Sequence, residues 1–222
     1  MPTRLKPSND IFYHVFNRGV EKRSIFKDDR DRIRFINGLY YFNDAEQVTA
    51  TMADTIFPIL DRRDTLVEIH AYCLMRNHFH LLLRAVSEKE IGISEFMKKL
   101  GTGYTNYFNK RHERVGSLFQ GTYKAVPIID EAHLYFLPHY IHLNPLTDSS
   151  DKNRSLTSVT TYKWSSYNDY TNNPQFPGIV TTLFFSTLLG GAANIVRETE
   201  EFAQQKRESL LEQLSSVLGT EV

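Results

Sequence analysis

His78 and His80 flank Phe79 in the stretch HAYCLMRNHFHLLLR, residues 70–84. Successive side chains of a strand point to opposite faces, so residues two apart share a face, roughly 6.5 to 7 Å apart. Two imidazoles placed in this way can converge on one divalent cation. Packing does not call for them, because Leu81, Leu82 and Leu83 follow at once and serve both faces. His-x-His alone is also common on solvated strands, so a metal site needs further donors. They occur late in the chain, in PHYIHLNPL, where Tyr140 and Asn144 stand four apart and share one helix face. If that face opposes the histidines, two imidazoles, one amide oxygen and one phenol meet: a metal site with a nucleophile beside it. Neutral imidazole and amide oxygen without thiolate suit Mg²⁺ or Mn²⁺ with places left for phosphate oxygens, and not structural zinc. A phenol, with a pKa near about 10, attacks poorly at neutral pH unless its proton is removed or its charge stabilised. Next to a cation that polarises a phosphodiester it suits transesterification, which keeps the bond energy for rejoining; metal-activated water would hydrolyse instead.

The elements that must position these groups can be read from pattern. Ala71–Met75 and Leu81–Leu83 flank the polar pair Arg76 and Asn77, a hairpin whose second strand begins at the histidines. Residues 11–18, IFYHVFNR, read as a first strand closed by Gly19. Asp28 or Asp29 caps a helix with Ile33, Ile36, Leu39 and Tyr40 on its apolar stripe. The run Ile56–Leu60, broken by Pro58, is too short to assign. From Ser87 to about Arg111 a second helix buries Phe96, Leu100, Tyr104, Tyr107 and Phe108; its Gly101 and Gly103 cost up to about 1 kcal/mol each or admit a close neighbour. Residues 117–128 read as a strand interrupted near Gly121, and Asp130 caps a helix stopping at Pro145. Strand, helix, strand, strand, helix, strand, helix implies an α+β fold, an antiparallel sheet with helices on one face. Residues 147–178 form a loop-rich extension pinned by Trp164, Tyr167 and Tyr170. The last 30 or so residues suggest an acidic amphipathic helix docking through Phe202, Leu210, Leu211 and Leu214. Two units are expected: 1–146, carrying the chemistry, and 147–222.

At 222 residues with 41% apolar and 23% charged residues, the composition is that of a globular protein. No apolar run approaches the roughly 20 residues of a membrane span, and MPTRLKPSND lacks a signal peptide's apolar stretch, so a cytoplasmic protein is expected. The single cysteine, Cys73, reads as a small core residue. Net charge is zero, but Lys98–Lys124 holds six basic residues and one acid, whereas 188–222 holds three basic and six acidic. That asymmetry fits one face meeting a polyanion. Arg18, Arg76, Arg114 and Lys124 are the candidate phosphate contacts. Tyr104, Tyr107, Phe108 and Phe119 could stack on unpaired bases, although helical spacing assigns the first three to the core. His14, His70, His112, His133, His139 and His142 have no spacing that recruits them.

Taken in order, YHVFNRG, LMRNHFHLLL, YFNKRHERVGSLFQGTYK and YIHLNP followed by KWSSYNDY resemble the single-tyrosine HUH transposases of the insertion sequence 200/605 type, within them the REP-associated tyrosine transposases. The likeness spans about residues 11–175. It implies a ferredoxin-like, RRM-like fold and metal-dependent cleavage and rejoining of single-stranded DNA through a 5′-phosphotyrosine and a free 3′-hydroxyl. By motif position His78 and His80 resemble the metal ligands, Tyr140 the nucleophile and Asn144 the polar residue completing the metal site. The implied partner is hairpin DNA with flanking single strand, and a homodimer is among the family's assemblies. Two positions depart from the pattern. Pro138 stands where a helix former is expected and should kink the helix, and Thr122 replaces an arginine expected after Gly121. Two other classes remain: a non-catalytic module binding single strands or hairpins, and a hydrolase forming no covalent link.

Overall fold

Alternation along the first strand, β1 (Phe12–Arg18), sorts the molecule into two sides. Tyr13 and Val15 turn to one face of the sheet, and Phe12, His14 and Phe16 to the other. The computed structural model describes residues 11–45, 64–86, 92–147, 157–171 and 173–204. Next come α1 (Asp29–Tyr41), β2 (Val67–Met75), β3 (His78–Ala85), α2 (Gly92–Arg111), β4 (Lys124–Ile128) and α3 (Glu131–Leu143). The strands form one antiparallel sheet in the order β2-β3-β1-β4. This is the expected α+β, ferredoxin-like arrangement, with Arg76 and Asn77 as the β2–β3 turn.

The first face is a continuous apolar layer. Tyr13, Val15, Ile69, Tyr72, Leu74, Phe79, Leu81 and Leu83 pack against Phe35, Ile36 and Leu39 of α1 and Phe96, Leu100, Tyr104 and Phe108 of α2. Asp28 caps α1 by accepting from the Asp31 N–H at 3.1 Å. Ile33, expected in the stripe, is exposed and Phe35 is buried in its stead. At about 100° per residue the stripe centres on Phe35, Ile36 and Leu39, more than about 90° round from Ile33. The buried Asp31 carboxylate accepts from Arg111 Nη1 and from the Tyr107 hydroxyl at 3.3 Å, and lies 3.0 Å from His112 Nε2. It thereby ties the start of α1 to the end of α2. A Cβ at Gly103 would stand 2.4 Å from the Phe42 ring, so the close approach is real there, whereas Gly101 faces open space.

α1 and α2 meet the one-face expectation; α3 and the later helices cover part of the opposite face. There Phe12, Ala71, Cys73, Met75 and Leu82 pack with Leu137, Tyr140, Ile141, Tyr170 and Phe185. Ile69 pairs with Leu83 and Ala71 with Leu82, so His70 is an extra residue in β2, a bulge that turns both His70 and Ala71 to this face. The strand expected over 117–128 is shorter. Before Lys124 the chain loops, with the Gln120 N–H donating to Arg18 O and the Val20 N–H to Leu118 O. Pro145 does not stop the chain's helical course: α3 tightens into a 3₁₀ turn over Asn144–Thr147.

The extension adds α4 (Thr157–Thr161), α5 (Tyr167–Tyr170), α6 (Leu183–Leu188) and α7 (Ala192–Gln204). Tyr170 pins it as expected, its hydroxyl donating to His70 O at 2.5 Å, and Tyr162, not among the expected aromatics, does the same with its hydroxyl donating to Leu74 O at 2.6 Å. The outer edge of β2 is closed by the Leu74 N–H donating to Trp164 O, the Ser166 N–H to Tyr72 O and the Thr181 N–H to Ile69 O. A sheet edge left open would invite pairing with another chain. Phe202 packs on Phe136 and His139, while Leu210, Leu211, Leu214, Ile56–Leu60 and the start of the second helix at Ser87 lie outside the described residues. None of the described helices is long and apolar enough to cross a membrane.

Candidate active site

On the second face, strand register builds the site in rows. His80 stands opposite Phe16, and His78 opposite Arg18, on β1. The rings of His78 and His80 lie 5.0 Å apart, the shared face their spacing requires. His14, one row below Phe16 on the same face, stacks on His80 with centroids 5.1 Å apart, and its Nε2 is 2.9 Å from His80 Nδ1. No sequence spacing recruits His14, because the relation runs across two strands. The signal was there in the alternation of β1, had its register with β3 been known.

α3 lies across this face because its buried side carries Leu137, Tyr140 and Ile141. Asp130 caps it, accepting from the His133 N–H at 3.0 Å, and the helix runs through Pro138 without ending. The Tyr140 ring meets both imidazoles edge-on, with centroids 5.8 Å from His80 and 5.9 Å from His14. Asn144, one turn on, is buried; its Nδ2 donates to Tyr140 O at 3.0 Å. The structure therefore brings together His78, His80, Tyr140 and Asn144, two elements 60 residues apart in sequence, and adds His14.

Burial governs the electrostatics. Removed from water, the Tyr140 phenol is pushed up to about 12, while a hydrogen bond with the Asn144 side chain pulls the other way. Desolvation holds His14 at about 3, and holds His80 well below the ordinary value, with the nearby His78 and His14 adding to the effect. Both rings are thus neutral at physiological pH, the state in which an imidazole can bind a cation. Among the described residues no three His, Cys, Asp or Glu side chains gather to hold a metal. Two imidazoles completed by an amide oxygen, water and phosphate oxygens nevertheless fit a hard divalent ion. His14 Nδ1 is buried without a hydrogen-bond partner. If the His80 Nδ1–H donates to His14 Nε2, the His80 Nε2 lone pair is left for a ligand and His14 carries its own proton on Nδ1.

The four candidate phosphate contacts are divided. Arg18 and the exposed Lys124 share the face of the histidines, in the rows of His78 and His80. Arg76 lies in the β2–β3 turn, two residues before His78, with Nη1 donating to Ser24 Oγ at 3.1 Å. Arg114 lies beyond α2, donating to Asn109 Oδ1 at 2.9 Å and lying over the Phe108 ring. Of the candidate stacking residues, Tyr104, Phe108 and Phe119 are core and Tyr107 is half-buried. A cleft of about 540 Å³ between α2 and residues 117–123, lined by Thr122 among others, lies on the first face. The apolar first-face residues Phe35, Phe79, Leu100 and Phe119 also line it. An apolar cleft alone would suggest function there; the titratable cluster is on the other side of the sheet.

Comparison with known proteins agrees with this fold. A family model described as "Transposase IS200 like" matches residues 8–144. Among solved structures, the fold is similar to that in "Structure of the REP associates tyrosine transposase bound to a REP hairpin", with a TM-score of 0.53 and 11% identity over 82% of this chain and 90% of that one. No curated protein matches the sequence.

Proposed function

Because the chain belongs to the IS200-like transposase family and is a DNA transposase, we propose that it cuts and rejoins single-stranded DNA through Tyr140. In this reading His78, His80 and Asn144 hold Mg²⁺ or Mn²⁺. The observation that carries it is the Tyr140 ring lying edge-on to His80, 5.8 Å between centroids, with the Asn144 amide one turn on donating to the Tyr140 carbonyl. When bound, the cation draws charge from the scissile phosphodiester and orients it for in-line attack.

The chain's own groups do the rest. Tyr140 stays protonated in its buried setting until substrate arrives, and Asn144 stabilises the phenolate as it forms. The phenolic oxygen bonds to phosphorus as the bond to the 3′-oxygen breaks; the phenol gives up its proton and the leaving 3′-oxygen gains one. A 5′-phosphotyrosine and a free 3′-hydroxyl result, and attack by a 3′-hydroxyl reverses the step and rejoins a strand. His14 is a positioning residue, fixing which nitrogen of His80 carries the proton.

The substrate class is hairpin DNA with flanking single strand, supported by the hairpin bound in the structurally similar transposase. Arg18 and Lys124 grip phosphates beside the cut, and Arg76 and Arg114 meet the DNA farther away. Joining two cut ends suits a homodimer, and the substrate suits the cytoplasm. Incubation with a hairpin oligonucleotide and Mn²⁺ should release a 3′-hydroxyl fragment and leave DNA attached to protein, and Tyr140→Phe should abolish both. Two free ends produced by Tyr140→Phe would mean hydrolysis by water, and intact DNA with the unaltered protein would favour a binding module.

A further inference from the structure

Phe16 is anomalous for an aromatic residue on a central strand. Its neighbours on the same face, Phe12 and His14, are buried, but Phe16 is only half-buried and belongs to none of the apolar clusters that make up the core. Its ring lies in a row across the sheet. His80 stands opposite it in one ladder and Lys124 in the other, with the His80 centroid 6.0 Å away and Lys124 Nζ 5.8 Å from the ring centre. In the next row Arg18 stands opposite His78. Arg18 Nε is buried without a hydrogen-bond partner, and among the described residues no carboxylate pairs with Arg18 or Lys124. A half-buried ring with one cation beside it in its own row and a second in the next row, neither paired with a carboxylate, one strand spacing from the histidines, has the makeup of a stacking platform for a base whose phosphates those cations grip. A duplex keeps its bases stacked inside, so the matching ligand is a single strand.

We propose that Phe16 stacks on the unpaired base next to the cleaved phosphate, with Arg18 and Lys124 holding the phosphates that flank it. This deepens the functional reading above and rests on its choice of DNA strand, but not on Tyr140 as nucleophile. Stacking is indifferent to base identity, so Phe16 anchors the strand and sets its distance from the histidines without choosing the sequence.

The test uses the full chain carrying Tyr140→Phe, so that binding is measured without cleavage. Phe16→Trp introduces an indole whose emission can be followed, since the only native tryptophan, Trp164, is buried. Adding a single-stranded oligonucleotide should quench that emission, and an equal-length blunt duplex should not. Phe16→Ala and Phe16→Leu, the latter keeping bulk on the strand, should weaken single-strand binding about 5- to 150-fold at an unchanged melting temperature. Binding within twofold of the parent for both, or an unquenched indole in a saturated complex, would overturn the proposal. If the nucleophile reading failed and this one held, quenching would persist while no DNA became attached to the unaltered protein.

Discussion

The two faces of the sheet are made by the same four strands and differ in almost every other respect. Phe79 and its first-face neighbours are buried beneath α1 and α2 in one apolar layer. The second face is divided: Phe12, Ala71 and Leu82 lie under α3 and the extension, while His78, Phe16, Arg18 and Lys124 remain partly open beside them. His14, His80 and Tyr140 sit at the boundary, buried but next to solvent-facing neighbours. A strand of period two can thus anchor the fold with one set of side chains and offer the other to chemistry.

Adjacent residues of β3 give the sharpest way to break that contrast. Phe79→Ala should cost about 3–5 kcal/mol of stability, read by denaturant unfolding. His78→Ala, one position away, should leave stability within about 0.5 kcal/mol and remove metal-dependent cleavage. Equal loss of stability from both would mean that the second face is as structural as the first.

A second effect separates the faces by pH. Desolvation holds His14 and His142 at about 3 and His139 at about 4, all on the α3 side of the sheet. Between pH 6.5 and about 4 the unfolded chain binds protons at these positions and the folded chain does not. Stability therefore falls with acidification, by about 1.4 kcal/mol per pH unit for each group. Asp169, raised to about 7 by burial, works the other way, since the folded chain holds its proton where the unfolded chain has lost it above pH 3.8. One such group against these three and His80, which is also lowered, leaves the net slope downward toward acid below pH 6.5. Urea midpoints that stay flat from pH 6.5 to 4.5 would show that these imidazoles are not held neutral.

Both faces were partly legible in the sequence. Period-two alternation and the Arg76–Asn77 turn placed His78 and His80 together, and the four-residue spacing placed Asn144 beside Tyr140, because both patterns are local. The family motifs joined the two halves, which no local pattern could. His14 and Phe16 were missed because their partners lie across strand ladders, where register is set by the whole sheet. His70 hid behind a bulge that reverses the expected alternation. Ile33 was misassigned because its stripe was judged on branched residues and passed over Phe35. The extension's role in closing the edge of β2 was not visible, since the bonds from Trp164, Ser166 and Thr181 are backbone contacts that leave little mark on residue choice.

The central claim is the covalent link between Tyr140 and DNA. The protein, incubated with a hairpin oligonucleotide and Mn²⁺, digested with protease and nuclease and analysed by mass spectrometry, should show a nucleotide mass on the peptide containing Tyr140 and on no other. An adduct on a different residue, or efficient strand cleavage with every peptide unmodified, would contradict the account.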